Sequence, residues 1–264
     1  MKMAVYVNAL SDASALVMDA VKLNEIEAFA LRRREEEMGL PPQLIGAPPD
    51  MALVVGGDGT LLQFIHDYPD LDVPIIHVGA GRVNFLSDVY LKDIKNELIN
   101  IISGNYFIEE RRALSADVGG GRSCFALNEV VMRNVNMGRL VTVTVMEDGD
   151  ELLRGRMDGI IVATPPTGST AYSFAAGGPV LDQRVNAKLI IPLVPFSVGS
   201  YKIVHPFDQP IMVASTEKAF ILCDGENFGE VAEAVIKPWQ RTIKMVRTRR
   251  FNLYERMQQR LSMF

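Results

Sequence analysis

Along the first hundred residues the apolar positions alternate between two spacings. The short apolar run "KMAVYV" predicts a strand. From about Ser11 to Met38 apolar positions recur at helical spacing, with Gly39 as a stop. "PPQLIGAPPD" predicts a proline-rich loop, and "MALVV" a buried strand. A glycine bend follows, then "TLLQFIHDY" as a short helix, "VPIIHV" as another strand and "LKDIKNELINIISG" as an amphipathic helix. Strand and helix in alternation are the pattern of a parallel sheet with helices on its faces.

Near Gly104 the pattern changes. Short runs rich in Val, Ile and Thr are joined by turns: "ALSADV", "SCFALNEVVMR", "RLVTVTVME", "ELLRGRM", "GIIVATP", "PIMVAS", "KAFILCD" and "TIKMVRT". "EDGDE" predicts a hairpin turn. Only Ser169 to Ala176 reads as briefly helical within this half, and "FNLYERMQQRLSMF" predicts a final helix. The expected fold is therefore α/β plus all-β. An open parallel α/β domain spans residues 1–105 and a β-sandwich-like domain spans residues 106–246. Residues 247–264 are expected to return to the α/β domain. In such a chain the cleft between domains is the expected site.

Composition narrows the function. The 264 residues are 48% hydrophobic and 22% charged, enough for a buried core. A formal net charge of −5 argues against sequence-independent nucleic-acid binding, which relies on Lys and Arg to neutralise phosphates. The apolar stretches are too short to span a bilayer and the N-terminus makes a poor signal peptide, so a cytoplasmic protein is expected. Cys124 and Cys223 lie far apart in apolar runs and are expected to be buried, reduced thiols. No metal site is expected, because His66, His77 and His205 have no ligand spacing; His77, at a strand end, is the one nearest candidate chemistry. The run "LRRREEEM" reads as a solvated helix face with opposite charges four apart.

"VVGGDGTLL", residues 54–62, carries the first candidate site. Gly56, Gly57 and Gly59 can adopt positive φ without a Cβ clash and let a ligand approach the backbone, with a helix expected to start at Thr60. Such a bend suits phosphate, although its spacing is not that of a Walker loop. Asp58 would repel phosphate unless it takes a proton from an attacking hydroxyl or helps hold Mg²⁺. A plain Asp-Gly turn is the simpler alternative.

"TPPTGSTAYSFAAGGPV", residues 164–180, is the second. Thr164, Thr167, Ser169, Thr170, Tyr172 and Ser173 gather hydroxyls around Gly168, which suits phosphate and ribose recognition, and Tyr172 suits a planar base. An ordinary capped helix would need one hydroxyl.

Together these stretches resemble the NAD kinase family. The resemblance rests on Gly56-Gly57-Asp58-Gly59-Thr60, on Asn128-Glu129, on Asp158-Gly159 and on Gly168-Ser169-Thr170-Ala171-Tyr172 leading to Gly177-Gly178-Pro179, in the family's order. "GRVNFLSD", which includes Phe85, resembles the family's loop after the third strand, and Asp224-Gly225-Glu226 a late element near the nucleotide. The likeness covers roughly residues 50–226. The glycine element alone is shared with diacylglycerol, sphingosine and phosphofructokinase enzymes.

The resemblance implies transfer of the ATP γ-phosphoryl group to the 2′-hydroxyl of the adenosine ribose of NAD, with Mg²⁺ carried by ATP. Asp58 would take or orient the ribose proton, and Gly56, Gly57, Gly59 and Thr60 would hold phosphate. Asn128 and Glu129 would contact the base or ribose of NAD, Asp158 and Arg156 other parts of the dinucleotide, and Thr170, Ala171, Tyr172 and Ser173 the adenine side. Ala175 and Asn84 stand where the family usually has serine and glycine, Glu226 where it often has glutamine, and Pro165-Pro166 lengthen one loop by a residue. A homodimer or homotetramer is implied as well. The alternatives are a lipid kinase of the diacylglycerol or sphingosine type, which should lack the Asn-Glu and Gly-Ser-Thr-Ala-Tyr elements, and a non-catalytic NAD(P) sensor.

Overall fold

The computed structural model describes residues 1–7, 12–31, 48–80, 84–136, 138–197, 201–250 and 252–262. The chain forms two compact units. One comprises Met1–Glu110 and Ile243–Phe264, and the other Arg111–Thr242.

The first unit is α/β. Strands β1 (Lys2–Val7), β2 (Glu27–Ala30), β3 (Met51–Gly56), β4 (Ile75–Gly79) and β5 (Val89–Tyr90) alternate with helices α1 (Asp12–Leu23), α2 (Asp58–Asp67) and α3 (Ile94–Ile102). All pairings are parallel, in the order β2-β1-β3-β4, with β5 beside β4. β1, β3 and β4 are buried along almost their whole length, which is why they read as continuous apolar runs rather than alternating ones. Val17 and Val21 of α1 join Ile94, Leu98 and Ile101 of α3 in one core.

The expected helix from Ser11 to Met38 is corrected. It ends at Leu23, Glu25 turns the chain at positive φ, and residues 27–30 become β2. Ala28, Phe29 and Ala30 bury themselves beside β1, and the backbone pairing with β1 outweighs the helical spacing. Most of "PPQLIGAPPD" and the charged run "LRRREEEM" lie outside the described residues.

The second unit is mostly β and antiparallel. It contains β7 (Ser123–Ala126), β8 (Glu129–Asn134), β9 (Val141–Glu147), β10 (Asp150–Met157), β11 (Gly159–Ala163), β12 (Ala187–Leu193), β13 (Ile203–Pro206) and β14 (Ile211–Cys223), with one short helix α4 (Tyr172–Ala175). Strands β6 (Phe107–Asp117) and β15 (Glu226–Arg247) run across the boundary between the units. The order is β13-β12-β11-β8-β14-β15, with β9 on β14 and β10 on β9. The expected hairpin forms at Asp148-Gly149, both at positive φ as a two-residue turn requires. "PIMVAS" and "KAFILCD" prove to be one bulged strand, β14. "SCFALNEVVMR" splits into β7 and β8 at Leu127-Asn128, and that break builds part of the candidate site.

The expectation of two reduced cysteines is also corrected: Cys124 and Cys223 are joined in a disulfide. They are 99 residues apart in sequence, but β7 and β14 bring their Cα atoms to 6.4 Å, within the span of such a bond.

The last helix, α5 (Leu253–Leu261), belongs to the first unit, as does the end of β15, where Met245 pairs with Ile75 of β4. Asn252 starts α5 by accepting the N–H groups of Tyr254 and Glu255. Among the described residues no helix is long and apolar enough to cross a membrane.

Candidate functional site

The glycine bend lies where buried β3 meets α2. Its three glycines have different roles, and not all of them take the positive φ open to glycine. Only Gly56 is there, at φ +155°, and a Cβ on it would come within 2.3 Å of the Thr60 hydroxyl. Gly57 is extended, at φ −80°, and Gly59 is already helical. A side chain at either would meet nothing within 4 Å, so their bareness leaves open space beside the backbone. The helix starts at Asp58 rather than Thr60, which is buried in its first turn. The positive end of the helix dipole is thereby placed at the bend.

Asp58 is held from the loop after β4. Its Oδ2 accepts the N–H of Phe85 at 2.8 Å and its Oδ1 that of Leu86 at 3.0 Å. Two backbone donors aimed at one carboxyl group fix its plane. Asn84 fills the space above Gly79, where a Cβ would lie 2.4 Å from its amide nitrogen, so this pair admits no side chain at 79. His77 is buried beneath the bend, with Nε2 3.3 Å from the carbonyl oxygen of Gly56. Burial pushes its pKa down, against the pull of the Asp58 carboxylate, and a carbonyl can only accept. The contact with that carbonyl therefore requires a proton on Nε2.

In the second unit another carboxylate organises three peptides. Asp224, at positive φ just beyond β14, accepts the N–H groups of Leu127, Asn128 and Glu129 at 2.7, 2.7 and 3.2 Å. Asp224 in turn donates its own N–H to the carbonyl of Glu129. This clamp accounts for the break between β7 and β8. The side of Asn128 that faces the 164–180 stretch is tied as well: its carbonyl accepts the Thr164 N–H at 2.8 Å.

The hydroxyls of that stretch serve mainly its own backbone, which revises the expectation that their number marks ligand recognition. Thr164 donates to the Leu127 carbonyl and accepts the Gly168 N–H. Ser169 donates to Pro166 and accepts from Leu181, and Thr170 donates to Thr167. Thr167 meets the buried Arg111 at 3.3 Å. All are buried, which is why so many are needed: a turn taken out of water must find partners for its peptides. Gly168 sits so close to Asn128 that a Cβ would lie 1.8 Å from its carbonyl oxygen. Gly168→Ala is expected to cost about 3 kcal/mol or more, read as a lower urea midpoint, because both colliding groups are backbone.

Glu129 is the strained member of this group. Burial, then the nearby Asp224 carboxylate, pushes its pKa up to about 8, with only the Tyr172 backbone N–H opposing. Among the described residues neither Glu129 Oε2 nor the buried hydroxyl of Ser173 has a hydrogen-bond partner. Tyr172 is 39% exposed, Ala171 joins the turn to α4, and Ala175 is exposed at the end of α4. The structure thus brings together Asn128, Glu129, Asp224 and the Thr164–Ser173 stretch. It does not bring Arg156 into that group: Arg156 is exposed on β10, over the ring of Phe196. The backbone of Asp158 bonds to Leu193 and Asn134, and Glu226 is exposed at the start of β15.

Sequence reasoning missed Asp88, Arg111, Arg247 and Arg256. An aspartate and three arginines carry no local signal, and their importance lies only in what they meet.

Comparison with known proteins gives the family. Residues 6–106 match the ATP-NAD kinase N-terminal domain and residues 127–236 the ATP-NAD kinase C-terminal domain. An NAD kinase from Ralstonia nicotianae is 32% identical over 231 residues, covering 84% of this chain and 76% of the relative. One from Methanopyrus kandleri is 35% identical over 186 residues, covering 70% and 67%. The crystal structure of an NAD kinase from Archaeoglobus fulgidus in complex with ATP superposes with a TM-score of 0.81 at 27% identity, covering 99% of this chain and 98% of that one. The yeast NADH kinase complexed with NADH shares the fold, with a TM-score of 0.88 at 20% identity, covering 99% of this chain and 87% of that one. With both domains matched and close relatives covered over most of their length, the chain belongs to the NAD kinase family.

Proposed function

We propose that this enzyme transfers the γ-phosphoryl group of ATP to the 2′-hydroxyl of the adenosine ribose of NAD, giving NADP and ADP. The observation that carries this is Asp58: a carboxylate fixed by two peptide N–H groups at the first residue of a helix, between two glycines that leave open space. The ribose oxygen bonds to the γ-phosphorus as the bond from that phosphorus to the bridging oxygen of ADP breaks. The hydroxyl proton passes to Asp58. A carboxylate is a weak base toward a sugar hydroxyl, so it accepts the proton only as the new bond forms, and positioning supplies most of the rate. Gly56, Gly57, Gly59 and Thr60 receive phosphate oxygens at the start of α2.

Glu129 and Asn128 hold the ribose or base of NAD. The buried, unpartnered Oε2 of Glu129 supports this, since a ribose hydroxyl would satisfy it. Thr170, Ala171, Tyr172, Ser173 and Ala175 form the adenine side, and Arg156 and Asp158 meet more distant parts of the dinucleotide. Asp224 acts by holding the Asn128 and Glu129 peptides.

Mg²⁺ belongs to the same proposal, neutralising the ATP phosphates. The ion would arrive with the nucleotide and be held by its phosphate oxygens, beside the glycine bend.

The test is NADP formation by purified protein from ATP, Mg²⁺ and NAD, read with an NADP-specific dehydrogenase. Product is expected, and EDTA is expected to abolish it. No NADP from folded protein, with ATP or with polyphosphate as donor, would overturn the proposal; a lipid product would then favour the lipid-kinase alternative.

A further inference from the structure

The peptides that hold Asp58 are themselves held from the other end of the chain. Phe85 and Leu86 donate to its carboxylate, and the carbonyls of Leu86, Ser87 and Asp88 are taken by arginines from the C-terminal segment. Arg247 donates to the Leu86 carbonyl at 2.8 Å, Arg256 to the Ser87 carbonyl at 2.7 Å, and Arg249 to the Asp88 carbonyl. The side chain of Asp88, 3% exposed, joins two of them: Arg247 lies 2.9 Å from Oδ2 and Arg256 3.0 Å from Oδ1. Glu109 accepts from Arg247 Nε, and the Tyr90 hydroxyl accepts from Arg256. The ring of Tyr90 lies under both Arg249 and Arg256.

We propose that Arg247 and Arg256 are positioning residues for Asp58, acting through the 85–88 backbone, so that the C-terminal strand end and helix are part of the phosphoryl-transfer machinery. Leu86 is the connecting residue. Its N–H holds the carboxylate and its C=O is held by Arg247, so a shift of that residue moves the Asp58 oxygens directly. A loop without regular structure has no ladder to fix its carbonyls, and planar guanidinium groups fix two acceptors each in a set geometry. A displacement of about 1 Å in a catalytic carboxylate is enough to cost on the order of a hundredfold in rate. A purely structural docking of the C-terminal helix would need neither consecutive carbonyls nor contact with the residue that bonds Asp58.

This rests on Asp58 acting on the ribose hydroxyl, and the experiment separates the two. Arg247 is 1% exposed and its loss risks the fold, so Arg256 is the main probe. Arg256→Gln and Arg256→Lys are compared with wild type and Asp58→Asn in the full-length chain, measuring kcat, KM for NAD and the thermal midpoint. Arg256→Gln is expected to lower kcat about tenfold to a hundredfold with KM for NAD within threefold, and Arg256→Lys to recover at least part of the loss. Folded Arg256→Gln with kcat within twofold of wild type, or a fall in activity that only tracks the unfolded fraction, would overturn the inference. If Asp58→Asn kept its kcat, the role of Asp58 itself would fail and the inference with it; an inactive Asp58→Asn beside a fully active Arg256→Gln would sink the inference alone.

Discussion

Asp58→Asn is expected to lower kcat for NADP formation by about a thousandfold, within the range that loss of a general acid-base group costs. Two effects add. The amide cannot take the ribose proton, so the oxygen must attack without the carboxylate that relieves its developing positive charge. Asparagine also breaks the clamp: only one of its two terminal atoms can accept, and its NH₂ would face either the Phe85 or the Leu86 N–H. Leaving one of those donors unsatisfied costs about 1–3 kcal/mol, so a fall in thermal midpoint is expected with the loss of rate. KM for NAD is expected to rise less than about tenfold, the worth of one hydrogen bond. Steady-state kinetics beside a melting curve checks all three, and a folded variant within tenfold of wild-type kcat would remove Asp58 from the chemistry.

The second large effect concerns Glu129. Its pKa is raised to about 8, first by burial and then by Asp224, against an ordinary value of 4.5. In acid, below the ordinary value, folded and unfolded chains both hold the proton and the group contributes nothing. As pH rises from there toward 8, the unfolded chain releases a proton that the folded chain retains, so stability falls. Above 8 the penalty is constant, on the order of 4 kcal/mol. Glu129→Gln removes a group that cannot ionise cheaply, and is expected to stabilise the unliganded protein at pH 8 by about 2–4 kcal/mol while flattening its stability between pH 5 and 8. The same variant is expected to weaken NAD binding more than tenfold. If the ionised carboxylate accepts ribose hydroxyls, binding by the wild type releases a proton, and its Kd should fall by up to about tenfold per pH unit as pH approaches 8. Urea denaturation and calorimetric titration at pH 6, 7 and 8 read both effects. A less stable Glu129→Gln at pH 8 would mean that Glu129 is a structural carboxylate rather than a strained ligand-binding one.

The pairing of these two carboxylates with opposite stability effects has a common physical basis. Asp58 accepts two aimed N–H donors, whereas Glu129 has one, set against burial and a neighbouring negative charge. An unpartnered buried oxygen is costly in the free protein and becomes useful when a ligand supplies its partner.

Much of this was legible in the chain. The apolar runs "KMAVYV", "MALVV" and "VPIIHV" announced the parallel strands because burial on both faces leaves no polar position to interrupt them. The glycine bend could be found because glycine is demanded locally, by the Thr60 hydroxyl at Gly56, whereas the need for glycine at 168 comes from the Asn128 carbonyl, 40 positions away. The residues of β2 could not, since Ala28 and Phe29 fit a helical stripe as well as a strand until β1 lies alongside.

The sequence by itself determined the α/β-then-β order, the strand–bend–helix that carries Asp58 and the family resemblance, because these depend on side chains a few residues apart. Only the tertiary structure decided what each carboxylate does. Asp224 reaches Asn128 across 96 positions, Arg247 reaches Leu86 across 161, and Cys223 bonds Cys124 across 99. Such partners share no spacing that a reader of the chain could test; they meet because sheet pairing and a returning C-terminus bring distant peptides within hydrogen-bond reach.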